Sequence, residues 1–372
     1  MPLSDPARPV ASRVHGGLDV AELAALAIDP AIVLDVSTSV SPYGTAPEVE
    51  RAIRSAPLDA YPDPSSVAAR TALAEGCGTS VERIVLGNGA TELLWTTARV
   101  RLGSGETLLS CEPSFSELRA AAAQAGARVV EWRADERSGF ALDLPAIARA
   151  ARDAGARVVG LCVPTSPVGQ VVPADELARL ADAIAPATLV LDQSFLALST
   201  RCADRVVKMP DNALCVRSLT KEHAIPGVRI GYLIAEPALA ARIAAARPSW
   251  TVGSMAQAAV IAAVAADDFV ARTRARLLDA AATLAGELRT AGYEVLPSQT
   301  PYFVVRVGDA AGFRRALLRE HRVLVRDCTS FGMPAWVRLA GRDGDAARRI
   351  VDGFVALAPG FAIADHALRG RP

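Results

Sequence analysis

The order of apolar runs in this chain predicts a three-layer αβα domain followed by a smaller α+β domain, and three observations carry that prediction. Seven short runs rich in Val, Ile and Leu, at residues 83–86, 106–110, 128–131, 157–162, 188–191, 213–217 and 229–234, alternate with helical stretches. The runs are apolar nearly throughout instead of alternating with polar residues, as befits strands covered on both faces of a mostly parallel sheet. Beyond about residue 270 the pattern changes to a long Arg/Ala/Leu helix at 270–291, strands at 302–306 and 336–339, and helices at 311–320 and 344–357. Elements of that kind outside the main sheet make a separate, smaller unit.

Taken in order, the runs also place the polar residues between them. The first gives way to Gly87-Asn88-Gly89-Ala90-Thr91-Glu92, a turn that opens a helix and aims its free amides at any anion placed there. On its own such a turn is equally an ordinary helix start. The run 188–191 ends at Asp192, which sets a carboxylate at the C-terminal edge of a parallel sheet, where ligands bind; a turn cap is the alternative role. The run 213–217 leads into Ser218-Leu219-Thr220-Lys221, and the last begins at Arg229.

Composition narrows the function classes. The formal net charge is zero over 372 residues, so no basic field draws nucleic acid or an anionic membrane surface. No apolar run approaches the ~20 residues of a membrane span, and residues 1–10 carry Asp5 and prolines where a signal segment needs an apolar core. A soluble, cytoplasmic protein is expected. The six cysteines form no C-x-x-C pair and the four histidines do not cluster with them, so neither a metal site nor a disulfide framework is expected. The cysteines read as small core residues.

Of 40 lysine and arginine residues only two are lysine, Lys208 and Lys221. Where arginine supplies nearly all the positive charge, a retained lysine points to a need for a primary amine, which forms an imine with an aldehyde as a guanidinium cannot. Lys221 is the candidate Schiff-base residue. Asp192 can then pair with a ring nitrogen of the aldehyde cofactor. Ser218, Thr220, Arg229 and the amides after Gly89 suit a phosphate on it.

With these residues in place the chain resembles the fold-type I, pyridoxal-phosphate-dependent enzymes of the class I/II aminotransferase superfamily, in the histidinol-phosphate aminotransferase and threonine-phosphate decarboxylase branch. The resemblance spans roughly residues 15–358 and includes Tyr61-Pro62-Asp63-Pro64, Glu112-Pro113-Ser114-Phe115 and Arg338. It implies an aspartate aminotransferase-like fold, with an N-terminal arm at 1–45, a large cofactor-binding domain at 46–255, and an interdomain helix with a small domain at 256–372. It implies pyridoxal 5′-phosphate on Lys221, Asp192 on its ring nitrogen and Phe115 on its ring face. The Ala90 and Thr91 amides, Ser218, Thr220 and Arg229 would hold its phosphate, joined by Tyr61 from the second subunit of a homodimer. Arg338 would take the carboxylate of a small amino-acid substrate, and His15, in His15-Gly16-Gly17, becomes a substrate contact.

The same resemblance leaves the reaction open. Transamination of an L-amino acid or amino-phosphate leads. Decarboxylation, or elimination, replacement or cyclisation, is the alternative, and Val325-Arg326-Asp327-Cys328 and Phe195 lean toward the decarboxylase group. Arg326, Arg342 and His15 are candidates for an anionic pocket. Ser166 stands where the family usually places an asparagine that donates to the cofactor O3′, and Phe195 where many members carry tyrosine. With both donors missing, the lysine–cofactor imine should hold its proton and be yellow at neutral pH. A silent regulatory domain on the same fold is the reading from another class, and the retention of Lys221, Asp192, Arg229 and Arg338 argues against it.

Overall fold

Adjacent residues on each strand point to opposite faces, and here both faces are apolar. In the computed structural model, which describes residues 15–361, seven strands form one sheet. Their spatial order is Ile84–Gly87, Gly231–Ile234, Ala213–Ser218, Thr188–Asp192, Val158–Cys162, Thr107–Glu112 and Arg128–Arg133. Neighbours run parallel except for the two pairs made by Gly231–Ile234. Leu109, Val159, Leu161, Leu189, Leu191 and Cys215 face the helices Leu144–Asp153 and Ala174–Ile184. Their chain neighbours Leu108, Val158, Val190, Leu214 and Val216 face Gly89–Arg101 and Pro237–Ala245. This double burial is why the runs are continuous in the sequence, and it sets the three layers.

Each expected strand is present, with ends shifted by one or two residues. The last starts at Gly231 instead of 229 because Arg229 has φ 57°, in the left-handed region outside strand geometry. The sheet belongs to a compact unit made of Val40–Ser166 and Val171–Arg274.

The second unit comprises residues 15–39, Pro167–Gln170 and 275–361 of the described chain. Its three-stranded antiparallel sheet runs Arg326–Asp327, Trp336–Ala340, Tyr302–Arg306. Phe303, Val305, Val337 and Leu339 on that sheet pack with Leu284, Leu288, Phe313 and Phe354 from three helices. The pair Leu34–Asp35 joins Val323–Leu324 in parallel, a two-residue contact too short for any periodicity to announce.

Five of the six cysteines are buried and Cys202 is half-buried. Among the described residues, no single helix is long and apolar enough to cross a membrane. The signal-segment reading of residues 1–10, and the part of the expected N-terminal arm before His15, lie outside the described residues.

Candidate active site

Topology brings the chemistry to one edge. Residues 88–91, Phe115, Ser166, Asp192 and 218–221 all follow or end strands that run in the same direction, so they share the C-terminal edge of the sheet. The helix Gly89–Arg101 starts there, and the Asn88 N–H donates to the Glu92 carboxylate one turn on. Gly89 has φ 78°, and a Cβ on it would lie 2.6 Å from Arg229 Nη2. A Cβ on Gly231 would lie 2.6 Å from the Ala90 nitrogen and 2.8 Å from the Arg217 carbonyl oxygen. These two glycines let the helix start, the neighbouring strands and the arginine close in on one another.

Arg229 is held from below, since its Nη1 donates to the Pro226 carbonyl at 2.9 Å. The Ser218 and Thr220 hydroxyls are hydrogen-bonded at 2.7 Å, and both residues are buried. The first-turn amides and a guanidinium thus lie side by side, and the two hydroxyls come at the end of the strand that pairs with Gly231. Thr91 is half-buried in the same first turn.

Lys221 follows directly. Its carbonyl accepts from the Ser41 and Ala224 amides at 3.2 and 3.3 Å, and its Nζ stands 5.7 Å from the centre of the Phe195 ring. Asp192 is buried and accepts from the Ser194 N–H at 3.0 Å. Burial pushes its carboxyl up from the ordinary value, while hydrogen bonds from Ser194 and the charge of Lys221 pull the other way. A buried acid in that state gains from a cationic partner such as a protonated ring nitrogen. Phe115 is half-buried and packs on the apolar cluster that contains Ala90, Val190 and Val216. Ser166 is buried beyond the end of Val158–Cys162. Tyr61 is 83% exposed and stacks on Trp250, the ring centres 4.9 Å apart.

Beside Lys221 lies a buried polar group of residues that reading the sequence missed. Glu222 and His223 are both buried, with Nε2 and Oε1 3.7 Å apart. Burial pushes Glu222 up to about 7 against the charges of Arg205, Arg217 and Lys221. Burial likewise pushes His223 down to about 4. Arg217 is buried as well, and its Nε donates to Gln193 Oε1 at 2.9 Å. Adjacency to Lys221 was the one signal available for Glu222, because nothing in a Lys-Glu-His run tells which side chain turns inward.

The second unit carries the remaining candidates. Arg338 and Arg326 sit directly opposite each other on paired strands and are both buried. Arg338 donates to the Ser37 carbonyl at 2.7 Å and lies 5.3 Å from the Tyr302 ring centre. Arg326 donates to Ser330 Oγ at 2.7 Å, and burial, then the charge of Arg338, push it down to about 10. Two like charges in this register favour an anion nearby. His15, which is exposed, and Arg326 line one cavity of about 260 Å³ together with Ser37 and Arg314. Arg342 is not part of that lining; it donates to the Asp35 and Gly341 carbonyls at 3.0 and 2.9 Å.

Comparison with known proteins adds to this geometry. Residues 31–352 match the family described as aminotransferase class I and II. The chain is 33% identical over 336 residues to histidinol-phosphate aminotransferase 2 of Pseudomonas fluorescens, covering 87% of this chain and 88% of that protein. Histidinol-phosphate aminotransferase from Sinorhizobium meliloti, solved in complex with pyridoxal 5′-phosphate, is 24% identical and superposes with a TM-score of 0.80 over 93% of this chain and 94% of that one. L-threonine-O-3-phosphate decarboxylase from Porphyromonas gingivalis is 26% identical, with a TM-score of 0.74 over 88% and 100%.

Proposed function

The chain belongs to the class I and II aminotransferase family, and on that premise we propose that it transfers the amino group of an amino-phosphate or L-amino acid, with Lys221 as the amine that carries pyridoxal 5′-phosphate. The residues fit that cofactor: the cradle kept open by Gly89 and Gly231 matches its phosphate, and buried Asp192 matches its ring nitrogen. When bound, the cofactor supplies an aldehyde that condenses with amines and a protonated ring that withdraws electrons from the substrate's α-carbon.

The protein's part is positioning and proton movement. The Ala90 and Thr91 amides, Ser218, Thr220 and Arg229 anchor the phosphate, and Ser166 and Phe115 border the ring. Asp192 keeps the ring nitrogen protonated, an ionic partnership that offsets the cost of its burial. With the cofactor bound, the Lys221 amine would take a proton from the substrate's α-carbon and return one, as general base and acid. Arg338 would bind the substrate's α-carboxylate, as a two-pronged guanidinium does. Arg326 and His15 receive a phosphate at the far end of the substrate, a reading supported by the paired buried arginines and by relatives named for a phosphorylated substrate.

A cytoplasmic homodimer completes the reading, with Tyr61 contributed to the partner's cofactor phosphate. Its support is the exposure of Tyr61, Leu58, Trp250, Met255 and Ile261, large apolar side chains on the first unit. Decarboxylation is the weaker reading, since curated relatives at 31–33% identity are named as aminotransferases.

The observation that carries the proposal is the meeting of Arg229 with the Gly89–Ala90 helix start on the edge that bears Asp192 and Lys221. The test is the visible spectrum of the purified holoenzyme mixed with single amino donors, histidinol phosphate and O-phosphothreonine among them, without keto acid. Transamination bleaches the yellow band into a stable near-ultraviolet form. A band that persists while carbon dioxide is released would replace transamination by decarboxylation.

A further inference from the structure

The strand Ala213–Ser218 has a second end. Along this strand a cavity of about 290 Å³ is lined by Ala213, Cys215 and Arg217, so it extends from the start of the strand toward its Lys221 end. Four cations line it, Arg83, Arg205, Lys208 and Arg217, with Thr79 and Ser80 beside them, and among the described residues no carboxylate belongs to the lining. Arg83 pairs with Asp211 at 3.2 Å and Arg205 with Asp267 at 2.7 Å, but those acids are 70% and 62% exposed and stand outside the lining.

Arg217 at the inner end is different. It is 6% exposed, and its side chain donates to the Gln193 amide oxygen at 2.9 Å and to Cys77 Sγ at 3.9 Å and hydrogen-bonds Tyr232, none of them a carboxylate. A guanidinium buried without a hydrogen-bonded carboxylate is costly unless a counter-charge reaches it. Glu222, which feels its charge, is itself pushed up to about 7 by burial and so carries only part of a charge at neutral pH.

We propose that this cavity, whose lining shares no residue with the cofactor cradle, is a second anion site for inorganic phosphate or a small phosphomonoester. The cations come from three chain segments, at residue 83, at 205 and 208, and at 217, so they approach from different directions. A tetrahedral dianion offers oxygens to all three, whereas a flat carboxylate offers two. The volume holds roughly ten water-sized groups, enough for phosphate with a short substituent. Arg229 and the Gly89 helix start are not part of this cavity, so the inference does not depend on how the cofactor is held.

The experiment uses the holoenzyme, in which the cofactor's own phosphate fills the cradle at Arg229. Inorganic phosphate is titrated calorimetrically at low ionic strength into the wild type, an Arg83→Gln/Lys208→Gln variant and an Arg326→Gln variant. The expected result is a saturable site that persists within about twofold in Arg326→Gln and weakens at least about tenfold in the double variant, any further binding lost only in Arg326→Gln belonging to the substrate-phosphate site. Lys208→Gln alone, at an exposed position, should still weaken binding by about threefold or more. Absence of saturable binding, or binding that survives both the double variant and Lys208→Gln and disappears in Arg326→Gln, would overturn the proposal; the latter would place the anion in the second unit.

Discussion

Both lysines of this chain flank one strand, Lys208 before its start and Lys221 after its end, and the two edges are built on different electrostatic plans. At the Lys221 edge a buried carboxylate, Asp192, faces the cations, and glycines bring backbone amides and Arg229 within a few ångströms of each other. Toward the Lys208 edge Arg83, Arg205 and Lys208, with Arg217 farther along the strand, line a cavity to which no carboxylate of the described residues contributes. The first edge therefore suits a ligand that is both cation and anion, such as a protonated pyridine carrying a phosphate, and the second suits an anion alone. Glu222 senses both, with Lys221 on one side and Arg205 and Arg217 on the other.

The sharpest way to break this contrast is to remove the amine. Lys221→Ala should lower turnover by about 10⁴-fold or more while leaving the folded chain intact, because the side chain is only half-buried; steady-state rates with far-ultraviolet circular dichroism test both statements. Asp192→Asn comes next, with kcat falling on the order of 10²-fold. Because burial raises this carboxyl in the folded protein, the acid costs stability above its unfolded value, so the asparagine apoprotein should melt no lower than wild type. A lower melting temperature would mean that Asp192 is held by partners already present. Gly89→Ala should weaken cofactor affinity by about 10- to 100-fold, since its Cβ would displace Arg229 and the backbone is left-handed there. Titrating the apoprotein with cofactor by absorbance reads this directly.

A further effect concerns stability against pH and the pair beside Lys221. Glu222 is raised from 4.5 to about 7, so the folded state holds a proton that the unfolded chain releases, and this group loses stability as pH rises from 4.5 to 7. His223 is lowered from 6.5 to about 4, so the unfolded chain holds the extra proton, and this group gains stability as pH rises from 4 to 6.5. Each is worth about 3 kcal/mol, and they cancel over most of their common range. Glu222→Gln should therefore make stability climb with pH between about 4 and 6.5, and His223→Gln should make it fall between about 4.5 and 7. Urea unfolding across that range checks the opposite slopes, and parallel profiles would show that the two groups do not titrate as their burial requires.

What could be read from the chain follows from how many neighbours a residue's role needs. The strands were legible because burial on two faces leaves an unbroken apolar run, as in 188–191, and Asp192 was legible because it interrupts such a run at a known edge. Lys221 stood out by chemistry, as one amine among arginines. The register that sets Arg326 against Arg338 was not legible, since Arg326–Asp327 is a two-residue strand and its pairing comes from the turn between Cys328 and Ala335. Gly231 lay within the run 229–234 without a purpose until the Ala90 nitrogen was found against it. The Lys208 cavity was hidden for the same reason, because its four cations are gathered from three separate segments by the sheet.

The central claim is that the cofactor is carried on Lys221. Reducing the holoenzyme with borohydride fixes the cofactor to its lysine, and with only two lysines in 372 residues a peptide mass map gives an unambiguous answer. A pyridoxyl adduct on the peptide containing Lys221, with Lys208 unmodified, is the predicted result. An adduct on Lys208, or none on a protein that absorbs as the holoenzyme, would contradict it.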